Sequence, residues 1–272
     1  MSAGALGIVA GGGLLPRRIA EAQRRERRPY LVCAFEGHAP EWVADHPHAV
    51  LPFEKPGALF RALRAAGVVE VVFAGALARP ALSPRRFDAA ALRLAPRLLP
   101  LLKGGDDALL RALAATFEKE GFRVIGAETA LGERRPLAPR GSFSAARPEA
   151  RARADLTRAL AHARAIGAED VGQGAVVAEG LCLGLETAQG TDALLDFVAR
   201  TRPGSGGVLV KAAKPGQDHR LDRPALGPAT ARAAAAAGLS GLGAEAGGVL
   251  LLEPETLRAE ADRLGLFLHG VD

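Results

Sequence analysis

Through the first half of the chain, short apolar runs rich in β-branched residues alternate with longer segments that are apolar at helical spacing. That alternation predicts a parallel sheet covered by helices. The expected strands are Leu6–Ala10, Tyr30–Ala34, Ala49–Phe53, Val69–Ala74 and Arg123–Gly126. The expected helices are Pro16–Arg27, Gly57–Ala66, Pro84–Leu102 with breaks at Pro96 and Pro100, and Asp106–Glu120, where Leu109, Leu110, Leu113 and Phe117 form one stripe. These elements predict a doubly wound, Rossmann-like α/β domain over residues 1–132. The stretch Glu133–Pro148 mixes proline and arginine without a period and reads as a linker.

Residues 149–272 predict a second, mixed α/β domain. A helix over Glu149–Ile166 leads to a hairpin of Ala175–Ala178 with Leu181–Glu186 across the turn Glu179-Gly180. A helix from Thr191, a strand Val208–Lys211, a polar loop and a helix ending at Ala237 follow. Strands around Leu242 and over Val249–Leu252, a helix from Pro254 and a strand Leu266–Val271 complete the pattern.

Composition narrows the function more than the fold. With 49% hydrophobic and 24% charged residues among 272, the chain can bury a proper core, and disorder is excluded as its main state. Aromatic residues are only 4%, which argues against modules that read bases by stacking, so no nucleic acid is expected as a partner. A net charge of +5 favours phosphates, nucleotides or an acidic membrane surface without choosing among them. Cys33 and Cys182 each lie in an apolar run and read as small buried side chains in a reducing compartment. The stretch Met1–Pro16 is free of charge but lacks a basic leader and is too short to span a bilayer, so a cytoplasmic protein, at most peripheral on the inner membrane, is expected.

Four features can carry chemistry. Gly11, Gly12 and Gly13 join a strand to a helix with Pro16 in its first turn, which suits backbone approach to a phosphate and equally suits a tight turn with no ligand. Glu36 sits where a ribose-binding acid would follow the second strand, although the full dinucleotide fingerprint is missing. Lys103, a glycine pair, Asp106 and Asp107 open the amphipathic helix, where one acid suffices as an N-cap. Gly190, Thr191 and Asp192 open another helix, with Thr191 as its expected cap.

The fourth feature is the loop from Lys211 to Pro224. If Asp218–Asp222 is extended, Asp218, Arg220 and Asp222 share one face, with Lys211 and Lys214 arriving from the strand before. Carboxylates can hold a divalent cation and the cations can hold phosphate; a solvated charged loop needs neither. No P-loop, C-x-x-C, H-E-x-x-H or G-x-S-x-G occurs, and His46 and His48, the only neighbours among the six histidines, read as surface residues.

Several stretches together carry a resemblance. They are IVAGGGLLP from Ile8, FAGALARP from Phe73, KGGDDALLRALAATFEKEGFRVIGA from Lys103, GQGAVVAEGLCLGLETAQGTDALL from Gly172, VLVKAAKPGQDHRLDRPALGPAT from Val208, AGLSGLGAEAGG from Ala237 and GLFLHGVD from Gly265. In this order they resemble the UDP-2,3-diacylglucosamine pyrophosphatases of the LpxI type, over nearly the whole chain. Leu194, Leu221 and Arg223 depart from the residues usual there, and none of these changes removes a polar group.

The resemblance implies a hydrolase of lipid A biosynthesis that uses Mg²⁺ or Mn²⁺ and directs water at the β-phosphorus, releasing UMP, with the substrate in a cleft between two domains. It implies catalytic roles for Asp222, Asp218, Lys214 and Arg220, and metal binding by Asp222 and Asp218. Substrate contacts are implied for Gly11, Gly12, Gly13, Leu14, Gly75, Lys103, Asp106, Asp107, Gln173, Gly190, Thr191, Asp192, Lys211 and Lys214. The partner is a lipid-linked sugar nucleotide, with peripheral contact to the inner membrane, and a homo-oligomer is allowed. Two other classes stay open on the residues alone. The glycine turn with Glu36 would suit a nicotinamide-dependent sugar-nucleotide oxidoreductase, and a non-catalytic carrier of glycolipid precursors would bind without releasing UMP.

Overall fold

The computed structural model describes residues 4–76, 82–103, 106–132 and 136–272, and of Lys103, Asp106 and Asp107 only the backbone. The chain forms two compact α/β units: residues 1–135 together with 218–222, and residues 136–217 together with 223–272.

The first unit runs β1 (Ala5–Ala10), α1 (Leu15–Arg25), β2 (Tyr30–Phe35), β3 (His48–Leu51), α2 (Pro56–Ala65), β4 (Val68–Ala74), α3 (Ala89–Leu98), α4 (Asp106–Lys119), β5 (Arg123–Val124) and α5 (Ala127–Ala130). Its five-stranded sheet has the order β3-β2-β1-β4-β5, and every pair in it is parallel. Both faces of β1 are buried, as a central parallel strand requires. Ala5 and Val9 share a core cluster with Leu59, Phe60 and Leu63 of α2 and Ala114 and Phe117 of α4. On α1, Gln23 is fully buried and its amide donates to the Ala130 carbonyl of α5 at 2.6 Å.

Four expectations need correction. Pro96 does not break its helix; α3 passes through it, capped by the Asp88 carboxylate on the Ala91 amide at 2.8 Å, and ends at Leu98. His46 is buried, with its Nδ1 2.7 Å from the Tyr30 hydroxyl, and burial pushes its pKa below the ordinary value. Cys182 is exposed on an edge strand, whereas Cys33 is buried and its thiol is pushed up to about 12. Finally, the stretch read as a linker is folded from Pro136 onward: Leu137 bridges Leu250, Ala138 is in a core cluster, and Gly141–Ser142 pairs as a strand.

The second unit contains β6 (Gly141–Ser142), α6 (Ala150–Ala168), β7 (Gly174–Ala178), β8 (Leu181–Leu185), α7 (Gly190–Thr201), β9 (Val208–Lys211), β10 (Ala225–Leu226), α8 (Pro228–Ala236), β11 (Gly241–Glu245), β12 (Leu250–Leu251), α9 (Pro254–Leu264) and β13 (Phe267–Val271). Its main sheet has the order β6-β13-β11-β9-β7-β8 and is mixed: β9, β11 and β13 are parallel, while β6, β7 and β8 pair antiparallel. Alternation sorts the two faces. Val176 and Leu209 point to the cluster of α7, α8 and α9, while Ala175, Val177, Val208 and Val210 point to α6. The hairpin turn forms where its sequence predicts, with Glu179 and Gly180 at φ 54° and 75°. Buried Asp155 of α6 accepts both turn amides, at 3.0 and 2.7 Å, and so fixes the hairpin.

The segment 218–222 returns late in the chain to complete the first unit. It is a turn within the expected loop, so the extended condition considered for Asp218–Asp222 is not met: the Leu221 amide donates to the Asp218 carbonyl at 2.9 Å. Leu221 is buried in the same cluster as Phe117, Phe122 and Val124. Leu221→Ala is expected to cost the first unit about 2–3 kcal/mol, as for a core leucine truncated to alanine. Urea unfolding followed by Trp42, the single tryptophan, reads that unit alone; a change below about 0.5 kcal/mol would show that the segment merely rests on the surface.

Candidate functional site

In the first unit, β1 lies between β2 and β4, so the strand order reverses beside it. Ligands of open parallel sheets bind at such a point, beyond the carboxyl ends of the strands. There the chain leaves β1 through Gly11–Gly13 and leaves β4 through Gly75, and the two turns are joined. The Gly11 amide donates to the Ala74 carbonyl and the Gly12 amide to the Ala76 carbonyl, each at 2.8 Å.

The glycines there have different reasons for being glycine. A Cβ on Gly11 would lie 2.6 Å from the carbonyl oxygens of Gly75 and Ala76, and one on Gly75 would strike the Gly12 carbonyl. Gly13 has open space but a φ of 89°. Gly12 has neither reason: its φ is not positive, and a Cβ there would meet only the Ala76 carbonyl at an ordinary 3.5 Å. Packing therefore demands glycine at 11 and 75 and backbone conformation demands it at 13, which leaves the exposed side of Gly12 as the place for close ligand approach. Leu14, also exposed, precedes the first turn of α1, which holds Pro16 and no acidic side chain. Glu36 is held by Arg86 at 2.6 Å.

The backbone of α4 begins at Asp106, as expected, but the side chains of Lys103, Asp106 and Asp107, and with them the capping role, lie outside the described residues. On the returning segment, Asp218 and Arg220 form one closed unit. The Asp218 carboxylate accepts from the Arg220 amide at 3.0 Å and from its guanidinium at 2.7 to 3.2 Å. The same guanidinium donates to Glu118 at 2.9 Å. Asp222 follows, half-buried, immediately after the Leu221 anchor. Arg220 therefore anchors the loop through two carboxylates, and the Asp222 amide lies 3.5 Å from the Asp218 carbonyl, so a turn stands in place of the extended segment.

In the second unit, Lys211 at the end of β9 and Thr191 in the first turn of α7 come together. The ammonium donates to the Thr191 hydroxyl at 2.7 Å, and that hydroxyl donates to Glu186 at 3.2 Å. Lys211 and Glu186 are 3.4 Å apart and nearly shut off from water. Thr191 is consequently not the cap of α7, a position taken by Gln189; Gly190 turns the chain into the helix at φ 84°, and Asp192 lies in its first turn. Gln173 precedes β7; its Oε1 is buried and accepts no hydrogen bond among the described residues. Lys214 is held by Asp170 at 2.6 Å. Glu186 and Asp170 were not singled out from sequence, because each belongs to its lysine across a fold and not across a short spacing.

Among the described residues, no group of three or more His, Cys, Asp or Glu side chains is placed to hold a metal ion. Asp218 in particular has its oxygens committed to Arg220, so the described carboxylates do not fit the expected metal site. Also among the described residues, no helix is long and apolar enough to cross a membrane.

Comparison with known proteins matches both units. A model of the LpxI N-terminal domain matches residues 5–134, and one of the LpxI C-terminal domain matches residues 139–269. The chain is 43% identical over 274 aligned positions to a curated protein of Caulobacter vibrioides, UDP-2,3-diacylglucosamine pyrophosphatase LpxI, covering 98% of this chain and 97% of that one.

The ion pair on the returning segment has a pH signature. The Arg220 guanidinium beside Asp218 holds its carboxyl below the ordinary value of 3.8. A carboxyl depressed on folding stabilises fully above its unfolded value, and the contribution is lost as pH falls through the lower folded value. The stability difference between the parental protein and Asp218→Asn is therefore expected to be present at about pH 6 and to vanish toward about pH 2. Urea midpoints at the two pH values check this, and an equal difference at both would refute it.

Proposed function

This chain belongs to the LpxI family, and from that premise we propose that it hydrolyses the pyrophosphate bond of UDP-2,3-diacylglucosamine to 2,3-diacylglucosamine 1-phosphate and UMP, a step of lipid A biosynthesis. The observation that carries the proposal is the identity running through both units to a pyrophosphatase of that name. Nothing favours the nicotinamide reading, since Glu36 is engaged by Arg86, and nothing favours a carrier without catalysis.

In the proposed reaction a water oxygen bonds to the β-phosphorus, the anhydride bond breaks, and UMP leaves with the bridging oxygen. The chain's task is to hold the phosphates, counter their charge and take the proton from water. In the first unit, Gly12 and the amides opening α1 are the candidate phosphate contacts; in the second unit, Lys211, paired with Thr191, is the candidate cationic contact. Asp222 accepts the proton; its half-burial next to the Leu221 anchor supports that role, because an anchored carboxylate needs no reorganisation at the moment of reaction. Arg220 and Asp218 act by holding that segment.

A requirement for Mg²⁺ or Mn²⁺ is proposed on chemical grounds alone: such an ion would neutralise phosphate charge and would acidify a bound water, and no set of carboxylates among the described residues is assigned to hold it. Asp218 is not offered as its ligand. Peripheral contact with the inner membrane is proposed because the substrate is a lipid.

The central test is UMP release from UDP-2,3-diacylglucosamine with Mg²⁺, with Mn²⁺ and with EDTA. Intact substrate under all three conditions removes the activity, and equal rates in all three remove the metal. Asp222→Ala is expected to lower turnover ~10²-fold or more in a folded protein that still binds substrate. Turnover within a few-fold of parental would move the role to Asp106, Asp107 and Asp192. Gly12→Val should weaken substrate binding far more than it slows turnover of bound substrate, because the branched side chain blocks the approach and packing does not oppose it. Unchanged affinity would mean that the triplet serves only as a turn.

A further inference from the structure

Glu186 is a buried carboxylate with no part in the chemistry above, and its surroundings are built for it. Gly172 and Gly174 flank Gln173 opposite it: a Cβ on Gly172 would strike the Glu186 carbonyl oxygen, and one on Gly174 would strike its carboxylate. Two glycines at the start of a strand weaken it, so this clearance has a cost that the fold bears in order to admit the acid. The Glu186 amide is tied to the Gly174 carbonyl at 2.8 Å, which fixes the base of the side chain. Its carboxylate then takes the Thr191 proton at 3.2 Å and lies 3.4 Å from Lys211.

The orientation of the Thr191 hydroxyl follows from this arrangement. With its proton given to Glu186, it presents a lone pair to Lys211, whose ammonium reaches it at 2.7 Å. A lysine ammonium has three donors, of which the Thr191 hydroxyl takes one, while the Glu186 carboxylate lies 3.4 Å away as an ion pair. An ion pair this deep is weak support for stability alone, since an apolar pair of similar volume commonly serves as well. What such a pair does supply is a cation locked in one rotamer at a defined place.

We propose that Glu186 is a positioning residue: through Thr191 it orients Lys211 so that a remaining donor of the ammonium meets a phosphate oxygen of the substrate. The proposal rests on the assignment of Lys211 and Thr191 to the sugar-nucleotide site. Glu186 takes no direct part in the reaction and acts only through Lys211.

The test is steady-state hydrolysis of UDP-2,3-diacylglucosamine by the full-length chain and four variants: Glu186→Gln, Glu186→Asp, Lys211→Met and the double Glu186→Gln with Lys211→Met. Parental protein that leaves the substrate uncleaved removes the functional assignment itself, before any variant is read. Given parental activity, Glu186→Gln is expected to raise KM about tenfold with kcat within about threefold and Tm within a few degrees, the pattern of lost ground-state binding. Glu186→Asp should recover most of this, with KM about threefold above parental. The double variant should be no worse than Lys211→Met alone, since residues acting through one another do not add.

A KM within about twofold of parental in folded Glu186→Gln overturns the proposal. So does a double variant whose loss is the product of the single losses. If Glu186→Gln does not fold, Glu186→Asp carries the test, and an unchanged KM there overturns the proposal equally.

Discussion

No side chain fits where β1 and β4 release the chain. Gly11 and Gly75 bring the two turns so close that a single Cβ on either would meet a carbonyl oxygen, and the hydrogen bonds from Gly11 and Gly12 to Ala74 and Ala76 close the gap. Everything the first unit offers a ligand depends on that approach. It keeps the carboxyl ends of the two central strands joined and leaves one position, Gly12, that is bare for no packing reason. A cradle made of backbone has no side chain to reorient on binding, so its geometry is largely set before a ligand arrives.

The second unit solves a different problem by a different route. It must hold a cation, and a lysine side chain has several rotatable bonds to restrain. Surface pairs such as Arg200 with Asp196 restrain little, being exposed and screened. Lys211 instead lies against Glu186 and Thr191, nearly shut off from water, and Lys214 lies against Asp170, a residue that itself adopts a left-handed φ of 55°. In both cases the partner comes from a turn near an end of β7 or β8, so the loops of the hairpin serve as clamps for the strand beside it.

The regular part of the architecture was legible because its signals are local. Apolar β-branched runs such as Val69–Ala74 and the helical stripe through Leu113 and Phe117 need no knowledge of what they pack against, and Glu179-Gly180 has the chemistry of its turn. What was not legible is non-local. Leu221 is one leucine among charges, and no periodicity marks it as a core residue. Its environment is provided by α4 and β5, about 100 residues earlier. Pro139 and Pro148 suggested a linker, yet the residues between them pair with β13, the last strand of the chain. Glu186 looks like the polar end of a strand until β9 brings Lys211 beside it. The candidate positions at Gly11–Gly13, Thr191 and Lys211 were found because glycines, hydroxyls and lysines next to strand ends are themselves signals; the acids that hold the lysines carry no such mark.

The return of residues 218–222 to the first unit also bears on how the chain is made. A polypeptide emerges from the ribosome amino end first, and domains generally fold in that order as they appear. Here the first unit cannot close when its own 135 residues are out, because one leucine of its core belongs to a segment made much later. Until Leu221 emerges, the site beside Phe117 and Phe122 is open and apolar. Four of the eight strands described in the second unit, β6 to β9, are by then already synthesised, so completion of the first unit overlaps with assembly of the second. A fragment cut at the apparent boundary would carry the same gap permanently, so the natural boundary of the first unit is a surface in space and cannot be reproduced by a single cut in the sequence.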